Sequence, residues 1–436
     1  MDFYQQYAQD TSELIAETIV SVISRSYIQE PNGASRLVAI KAGSTKRKFV
    51  KEPHDISKEL RLLLSLSHPA IIQVIGHDFD QRTSILRFWM PYLPHTLATL
   101  LACPLFSPRP HEGFPASARE AAATSFLPIA KAIIYQIASG VTYLHHTSRR
   151  IAHRDIKPSN ILLDLDCTVK LIDFGVSYRD DEPEADKGGD VWPENNGKMY
   201  FEVGSGPYRA PELLFGPRSY DAIASDLWSM GTTFAEFFTT LHHRCLGDSD
   251  YGDDEEEDDP TQAYAFDQPG SEWSQLEWER YPLFDSSRGD IGLAWSIFKT
   301  RGSPTTEIWP TFTDLPDATK VNFVQAPVSH FSTRLPNLPN KDRESPDAPP
   351  SHMPPSHPRP SALDLIHRLL VYSPPSRLPA AAVLDHPWLS NILLPPRLAT
   401  KAKVPTEHNG KKLADLLRAF LGAASKDERS RGGSAG

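Results

Sequence analysis

Cysteine is nearly missing from this sequence: Cys103, Cys167 and Cys245 are the only three in 436 residues, and no two are spaced as a zinc pair or a disulfide framework. A disulfide-stapled scaffold is thereby excluded, and a reducing compartment is expected, with the three thiols serving as small apolar residues. Apolar runs of membrane-spanning length are lacking as well. The nearest, Phe126 to Leu144, carries Lys131 and further polar residues at helical spacing. The opening Met1-Asp2-Phe3-Tyr4-Gln5-Gln6 has neither the basic start nor the apolar stretch of a secretory signal. Positive charge is not in excess either. There are 45 Lys and Arg against 55 Asp and Glu, a net charge of −10, and nine of the carboxylates fall within Asp248 to Asp259. The remainder is close to neutral, so no basic face for nucleic acid is implied. The expectation is an intracellular protein of nucleus or cytoplasm, with neither a membrane nor a nucleic-acid partner.

What is present is ordinary globular usage, 40% hydrophobic and 23% charged, with proline high at 39 residues. Composition shifts mark four insertions, at 102–125, 180–197, 247–269 and 327–360, the last holding ten prolines in 34 residues and read as an extended, mobile loop. The acidic run inside the third is read as a solvated loop. Between them the periods place elements. Leu37 to Ile40 reads as a strand; Ile56, Leu60, Leu63 and Leu64 recur at helical spacing, as do Ile133, Ile137, Val141 and Leu144. Ile161-Leu162-Leu163 and Val169 to Ile172 form a strand pair around a turn, and Leu227 to Phe238 is apolar on nearly every side, as in a buried helix. Strands with one helix come first and helices follow, which is an α+β plan of two lobes. After His408, Lys412 to Leu421 is a candidate amphipathic helix.

Two loops carry the chemistry: His153-Arg154-Asp155-Ile156-Lys157-Pro158-Ser159-Asn160 and, after the strand pair, Asp173-Phe174-Gly175. Phosphoryl transfer needs a carboxylate to receive the hydroxyl proton, a cation on the migrating group, and oxygen ligands for magnesium. Asp155, Lys157, Asn160 and Asp173 meet all of these requirements. With Val38-Ala39-Ile40-Lys41 upstream and Ala210-Pro211-Glu212 downstream, the set resembles the eukaryotic protein-kinase signature over roughly Leu14 to Leu389.

The resemblance implies a two-lobed kinase fold, with a small β-rich lobe at about 14–92 and a large helical lobe at about 93–390. Outside these lie an extension at 1–13 and a tail at 391–436. It implies ATP and Mg2+ as cofactors. Lys41 would hold the α- and β-phosphates and pair with Glu59, Asn160 and Asp173 would hold magnesium, and Asp155 and Lys157 would act on the acceptor hydroxyl and the phosphoryl group. Met90 would be the gatekeeper, with Pro91 C=O and Leu93 N–H meeting the adenine. Lys157 is the residue that serine/threonine members carry. Asp226 would anchor the catalytic loop, and Arg377 would bridge to Glu212. Tyr208 to Gly216 and Gly302 to Pro310 resemble the cyclin-dependent and related kinases of the CMGC group. The cyclin-contacting helix of that group matches only in Pro53, Glu59 and a basic neighbour, so a cyclin is not implied and a monomer acting on a protein substrate is expected.

Two departures stand out. Where G-x-G-x-x-G should lie, the chain reads Ile19 to Tyr27 without a glycine, and the first glycine is Gly33. Where cyclin-dependent kinases carry an activating phosphothreonine, the chain has Tyr200. Arg154 ordinarily meets that phosphate, so Glu202 or the stretch Asp180 to Glu184 is expected to give it a permanent acidic partner; phosphorylated Tyr200 is the competing reading. Both departures resemble the fungal monomeric kinases that activate cyclin-dependent kinases, making another kinase a candidate substrate. Gly204 leaves open the backbone geometry of proline-directed members, and Ser205 would contact Asp155 and Lys157. The alternatives are a non-catalytic scaffold of the same fold and, from Lys157 and Ala210-Pro211-Glu212 less favoured, a small-molecule phosphotransferase.

Overall fold

The structure is a computed structural model that describes residues 12–29, 33–244, 264–265, 277–342, 360–402 and 404–421. The acidic run Asp248 to Asp259, Cys245 and the Ser/Gly-rich end lie outside the described residues, as do residues 1–11.

The first lobe is a five-stranded antiparallel sheet in the order β1-β2-β3-β5-β4. Its strands are β1 (Glu13–Glu17), β2 (Val22–Gln29), β3 (Ser35–Ser44), β4 (Gly76–Asp80) and β5 (Ile85–Pro91). One face packs Val38, Ile28 and Trp89 together; the other turns Ala39, Phe88 and Met90 toward the main core. Helix α1 (Ile56–Ser65) follows β3. Asp55 caps it by accepting from the amides of Ser57 and Lys58; Ile56, Leu60 and Leu63 form the buried stripe that the helical period predicts, whereas Leu64, expected on it, is exposed and Leu62 is buried instead.

The second lobe is largely helical. After β6 (His95–Thr96) and α2 (Leu97–Leu101), α3 runs for 30 residues from Ala116 to His145. Its start lies inside the 102–125 stretch, which has no apolar period but is rich in alanine, the best intrinsic helix former. By length and composition α3 would cross a bilayer, but Phe126, Ile129, Ile133 and Ile137 are fully buried in the protein core. Short strands β7 (Ile151–Ala152), β8 (Ile161–Leu163), β9 (Val169–Leu171) and β10 (Tyr178–Arg179) then carry the two chemical loops. Helix α4 (Ala222–Glu236), capped by Asp221, is buried on all sides except at Ile223. Beyond it, β11 (Leu241–Arg244) pairs parallel with β12 (Tyr264–Ala265) and antiparallel with β13 (Glu277–Arg280). Part of the third insertion is therefore strand, pinned by Arg280, which donates to the carbonyls of Leu101, Phe106 and Thr239.

Helices α5 (Gly289–Arg301), α6 (Ala362–Leu369), α7 (Ala380–Leu384) and α8 (Pro396–Ala402) complete the lobe, and α6 lies against α4. The proline-rich stretch is not a loose loop at its start. Phe331, Leu335 and Leu338 are buried, and Asn337 donates to Thr239 O at 2.8 Å. Proline there removes amide donors, and the apolar side chains between the prolines supply the packing; residues 343–359 lie outside the described residues. Past Leu389 the chain keeps adding to the core. A helix at 413–421, here α9, buries Leu413, Leu416, Leu417 and Phe420, and the Phe420 ring meets Phe106 edge-on at 5.2 Å.

Candidate active site

Lys41 lies on β3 in the face that overhangs the gap between the lobes. Its ammonium is 2.7 Å from Glu59 on α1 and 2.8 Å from Asp173. Burial opposes a charge on Lys41, but the two carboxylates more than offset it and hold the ammonium protonated far above neutrality. Burial likewise opposes the Asp173 charge, and the facing Lys41 overrides it, leaving Asp173 ionised well below the usual carboxylate range. Asp173 sits at φ 67°. The next amide, Phe174 N–H, donates to Glu59 at 3.3 Å, so the same glutamate orders both the lysine and the loop that follows.

The catalytic-loop residues converge from below. Asn160 donates through Nδ2 to Asp155 O at 2.9 Å and to Asp155 Oδ2 at 2.8 Å. Lys157 Nζ lies 2.9 Å from Asp155 Oδ2, and Ser205 Oγ donates to Asp155 Oδ1 at 2.8 Å and accepts from Lys157. The loop is held by Asp226, fully buried on α4, which accepts from His153 N and Arg154 N at 2.7 Å each. That grip keeps Arg154 at φ 64°, a conformation that a non-glycine residue adopts only when its surroundings enforce it. His153 joins the two loops, its Nε2 lying 2.9 Å from Ile172 O and its ring packing on Phe174 at 4.7 Å.

With its amide hydrogens committed to Asp155, Asn160 keeps its side-chain carbonyl as a hard oxygen donor, and its backbone carbonyl accepts at 3.1 Å from the amide of Ile172, the residue before Asp173. One carboxylate and one amide oxygen fit magnesium, which fills its remaining positions with water and phosphate oxygens. Among the described residues no cluster of three or more His, Cys, Asp or Glu forms a self-sufficient metal cage. The interlobe segment follows β5: Met90 is buried beneath Ala39, its partner across the ladder, while Pro91 and Leu93 are half-buried at the crossing.

The segment between Asp173 and Pro211 is where the structure departs most from the sequence reading. The partner of Arg154 is Glu194. The guanidinium donates to it at 2.8 and 2.5 Å, and Lys58 of α1 reaches the same carboxylate at 3.2 Å. Burial would raise Glu194, but the Arg154 charge outweighs it and keeps the carboxyl below its ordinary range. Glu202 is exposed, Asp180 pairs with Arg150, and Glu182 pairs with Arg61 of α1 at 2.5 Å. The 180–197 stretch is thus docked on α1. Asp190 also binds Arg61, Trp192 N–H donates to the Asp55 cap, and Arg47 donates to Val191 O. Trp192-Pro193 inside the acidic stretch was the available hint, because an aromatic residue marks a docking segment better than a solvated one. Tyr200 is anchored too: its hydroxyl donates to Glu52, and its amide donates to Glu194 at 3.0 Å.

The β1–β2 connection, where a phosphate loop would lie, is a four-residue turn. Thr18 Oγ1 accepts from Val20 N at 3.3 Å and Ser21 N at 3.0 Å, and Thr18 N donates to Ser21 O. Those tip amides are spent within the turn. Further on, Gly204 adopts φ 80°, with Arg209 donating to Val203 O at 3.2 Å beside it. Arg377 and Glu212 form a buried two-pronged pair at 2.6 Å.

The profile described as Protein kinase domain matches residues 24–389. Cyclin-dependent kinase G-2 of Oryza sativa subsp. japonica is 26% identical over 364 residues, covering 82% of this chain and 38% of that protein. Serine/threonine-protein kinase ppk23 of Schizosaccharomyces pombe is 25% identical over 420 residues, covering 95% of this chain and 80% of the other. The chain therefore spans well under half the length of the first relative. Among solved structures, the yeast RNA Pol II CTD kinase CTDK-1 complex matches with a TM-score of 0.56 and 21% identity, over 90% of this chain and 96% of that one.

Proposed function

This chain belongs to the protein kinase family, as a serine/threonine kinase of the cyclin-dependent-like CMGC type, and we propose that it transfers the γ-phosphoryl group of ATP to protein hydroxyls without a phosphate on its own activation segment. The observation that carries the chemistry is the meeting of Lys41, Glu59 and Asp173 with Asp155, Lys157 and Asn160 across one cleft.

Asp155 is oriented by Asn160 on one carboxylate oxygen. The oxygen now holding Ser205 is the one an acceptor hydroxyl would approach, so Asp155 positions that hydroxyl and takes its proton as the new bond forms. Lys157 stands beside it as a fixed positive charge for the migrating group. Lys41, fixed by Glu59, neutralises phosphate oxygens; Asn160 and Asp173 would hold Mg2+, which supplies charge neutralisation on the phosphates when bound. Pro91 C=O and Leu93 N–H would meet the adenine edge, under Met90.

Glu194 supports independence from activating phosphorylation. Its carboxylate already binds Arg154 and Lys58, the two cations a phosphate would draw together. The left-handed Gly204 supports acceptors with proline after the target residue, and another kinase's activation segment is the candidate substrate. Purified full-length protein, labelled ATP and a kinase panel test the reading, with wild type compared against Asp155→Asn. Incorporation that disappears in the variant and survives phosphatase treatment of the wild type is expected. Equal signal from both proteins would favour the non-catalytic scaffold, the reading to which the Thr18 turn points.

A further inference from the structure

Arg25 lies directly opposite Ala39 in the β2–β3 ladder, as Ile23 lies opposite Lys41. Opposed residues share a face of the sheet, and residues two apart along a strand share it too. Lys41 reaches Glu59 and Asp173, which identifies this face as the roof of the cleft. Met90, opposite Ala39 on the other side, belongs to the same face. Arg25 therefore overhangs the part of the cleft next to the interlobe segment, the nucleobase half in the kinase reading on which this inference rests.

Each of its three guanidinium nitrogens donates a hydrogen bond. Nε and Nη2 donate to the two oxygens of Glu13 on β1 at 2.9 and 2.8 Å, and Nη1 donates to the hydroxyl of Tyr92 at 3.1 Å. Its central carbon lies 5.5 Å from the Tyr92 ring centroid. Tyr92 stands between Pro91 and Leu93, so the three side chains tie the β1–β2 hairpin to the segment joining the lobes. Only a guanidinium does this with one side chain, because its planar fork serves a carboxylate with two N–H groups and leaves another for the phenol.

We propose that Glu13, Arg25 and Tyr92 form a strap across the mouth of the nucleobase pocket, and that Arg25 thereby sets the rates at which nucleotide enters and leaves. The hairpin needs such a device. The amides of Val20 and Ser21 at its tip are already taken by Thr18, which leaves less of the turn's backbone to close the hairpin by gripping phosphate. The strap is also easy to open: the Arg25 and Glu13 side chains are 36% and 65% exposed, a setting in which ion pairs are weak and screened by salt. Arg25 is a positioning residue here, holding the roof and taking no part in the transfer step.

The test is stopped-flow fluorescence with the N-methylanthraniloyl derivative of ADP on the full chain, comparing wild type with Arg25→Ala, Arg25→Lys, Glu13→Gln and Tyr92→Phe. Arg25→Ala is expected to raise both association and dissociation rate constants about two- to fivefold, as loss of an exposed ion-pair strap allows. Glu13→Gln and Tyr92→Phe should each give part of that change, and Arg25→Lys should recover only part, because lysine lacks the fork. Added salt should bring the wild type toward Arg25→Ala and leave the variant nearly unmoved. Thermal unfolding identifies any variant that has lost its fold, and Tyr92→Phe, which removes one hydroxyl, serves if Arg25→Ala is such a case. Equal rates and equal salt dependence in wild type and variants, with the wild type binding nucleotide, would overturn the strap alone. A wild type that binds no nucleotide would overturn the kinase reading and the strap with it.

Discussion

Glu194 and Arg154 form a two-pronged ion pair in which both side chains are almost fully buried, 40 positions apart in the chain. Lys58 on α1 completes the cluster, so one carboxylate ties the activation segment to the catalytic loop and to the helix that carries Glu59.

Removing that carboxylate leaves two buried cations without their partner. Glu194→Ala should cost about 3–5 kcal/mol of stability, the usual penalty for breaking a buried pair from one side, and should depress kcat more than the KM for ATP. Chemical denaturation with steady-state kinetics checks both. Glu202→Ala, at an exposed position, should leave both unchanged within error.

Asp155→Asn should lower kcat by about 10²–10⁴, the range for losing a general base, while nucleotide affinity stays near the wild-type value. Rapid-quench transfer and equilibrium nucleotide binding separate these two effects.

Gly204→Ala should be strained, because φ 80° is left-handed and an added Cβ would lie 3.1 Å from Arg209 Cγ. The expected cost is about 1–2 kcal/mol. If the left-handed turn shapes the site beyond the acceptor, the variant should also lose preference between peptides with proline and alanine after the target serine. Paired peptide kcat/KM values give the answer.

Stability should carry a pH signature from Glu236. Burial raises its carboxyl to about 8, although Tyr208 donates to it at 2.6 Å. An unfolded glutamate titrates near 4.3, so between about 4.3 and 8 the folded state binds the extra proton and stability falls as pH rises. Glu236→Gln, which cannot ionise, should flatten that decline when urea midpoints are compared at pH 5.5 and pH 8.

Residues whose roles are fixed by chemistry at set spacing were readable from sequence. Asp155, Asn160 and Asp173 were located because phosphoryl transfer demands those groups, Lys41 and Glu59 through the resemblance to the protein-kinase signature; the structure pairs Lys41 with Glu59 and Asp173, and Asp155 with Asn160. Buried partners drawn from a field of similar residues were not readable. The sequence offers acidic groups at 180–184, 194 and 202, and only the folded path of the segment selects Glu194 for Arg154. Arg25 was missed because its role depends on strand register, which places it opposite Ala39. The packed start of the proline-rich stretch was missed because proline count conceals Phe331, Leu335 and Leu338, whose burial depends on distant surfaces.

The helix at 413–421 bears on how the protein is born. Leu417 and Phe420 close a hydrophobic vault whose other walls, Phe106 and Phe126, were laid down some three hundred residues earlier. Synthesis delivers those walls long before the helix that covers them, so this part of the large lobe is closed only once residues 413–421 have emerged. A version trimmed at Leu389, where the family likeness stops, would lack Leu413, Leu416, Leu417 and Phe420 and leave the Phe106 ring without that cover.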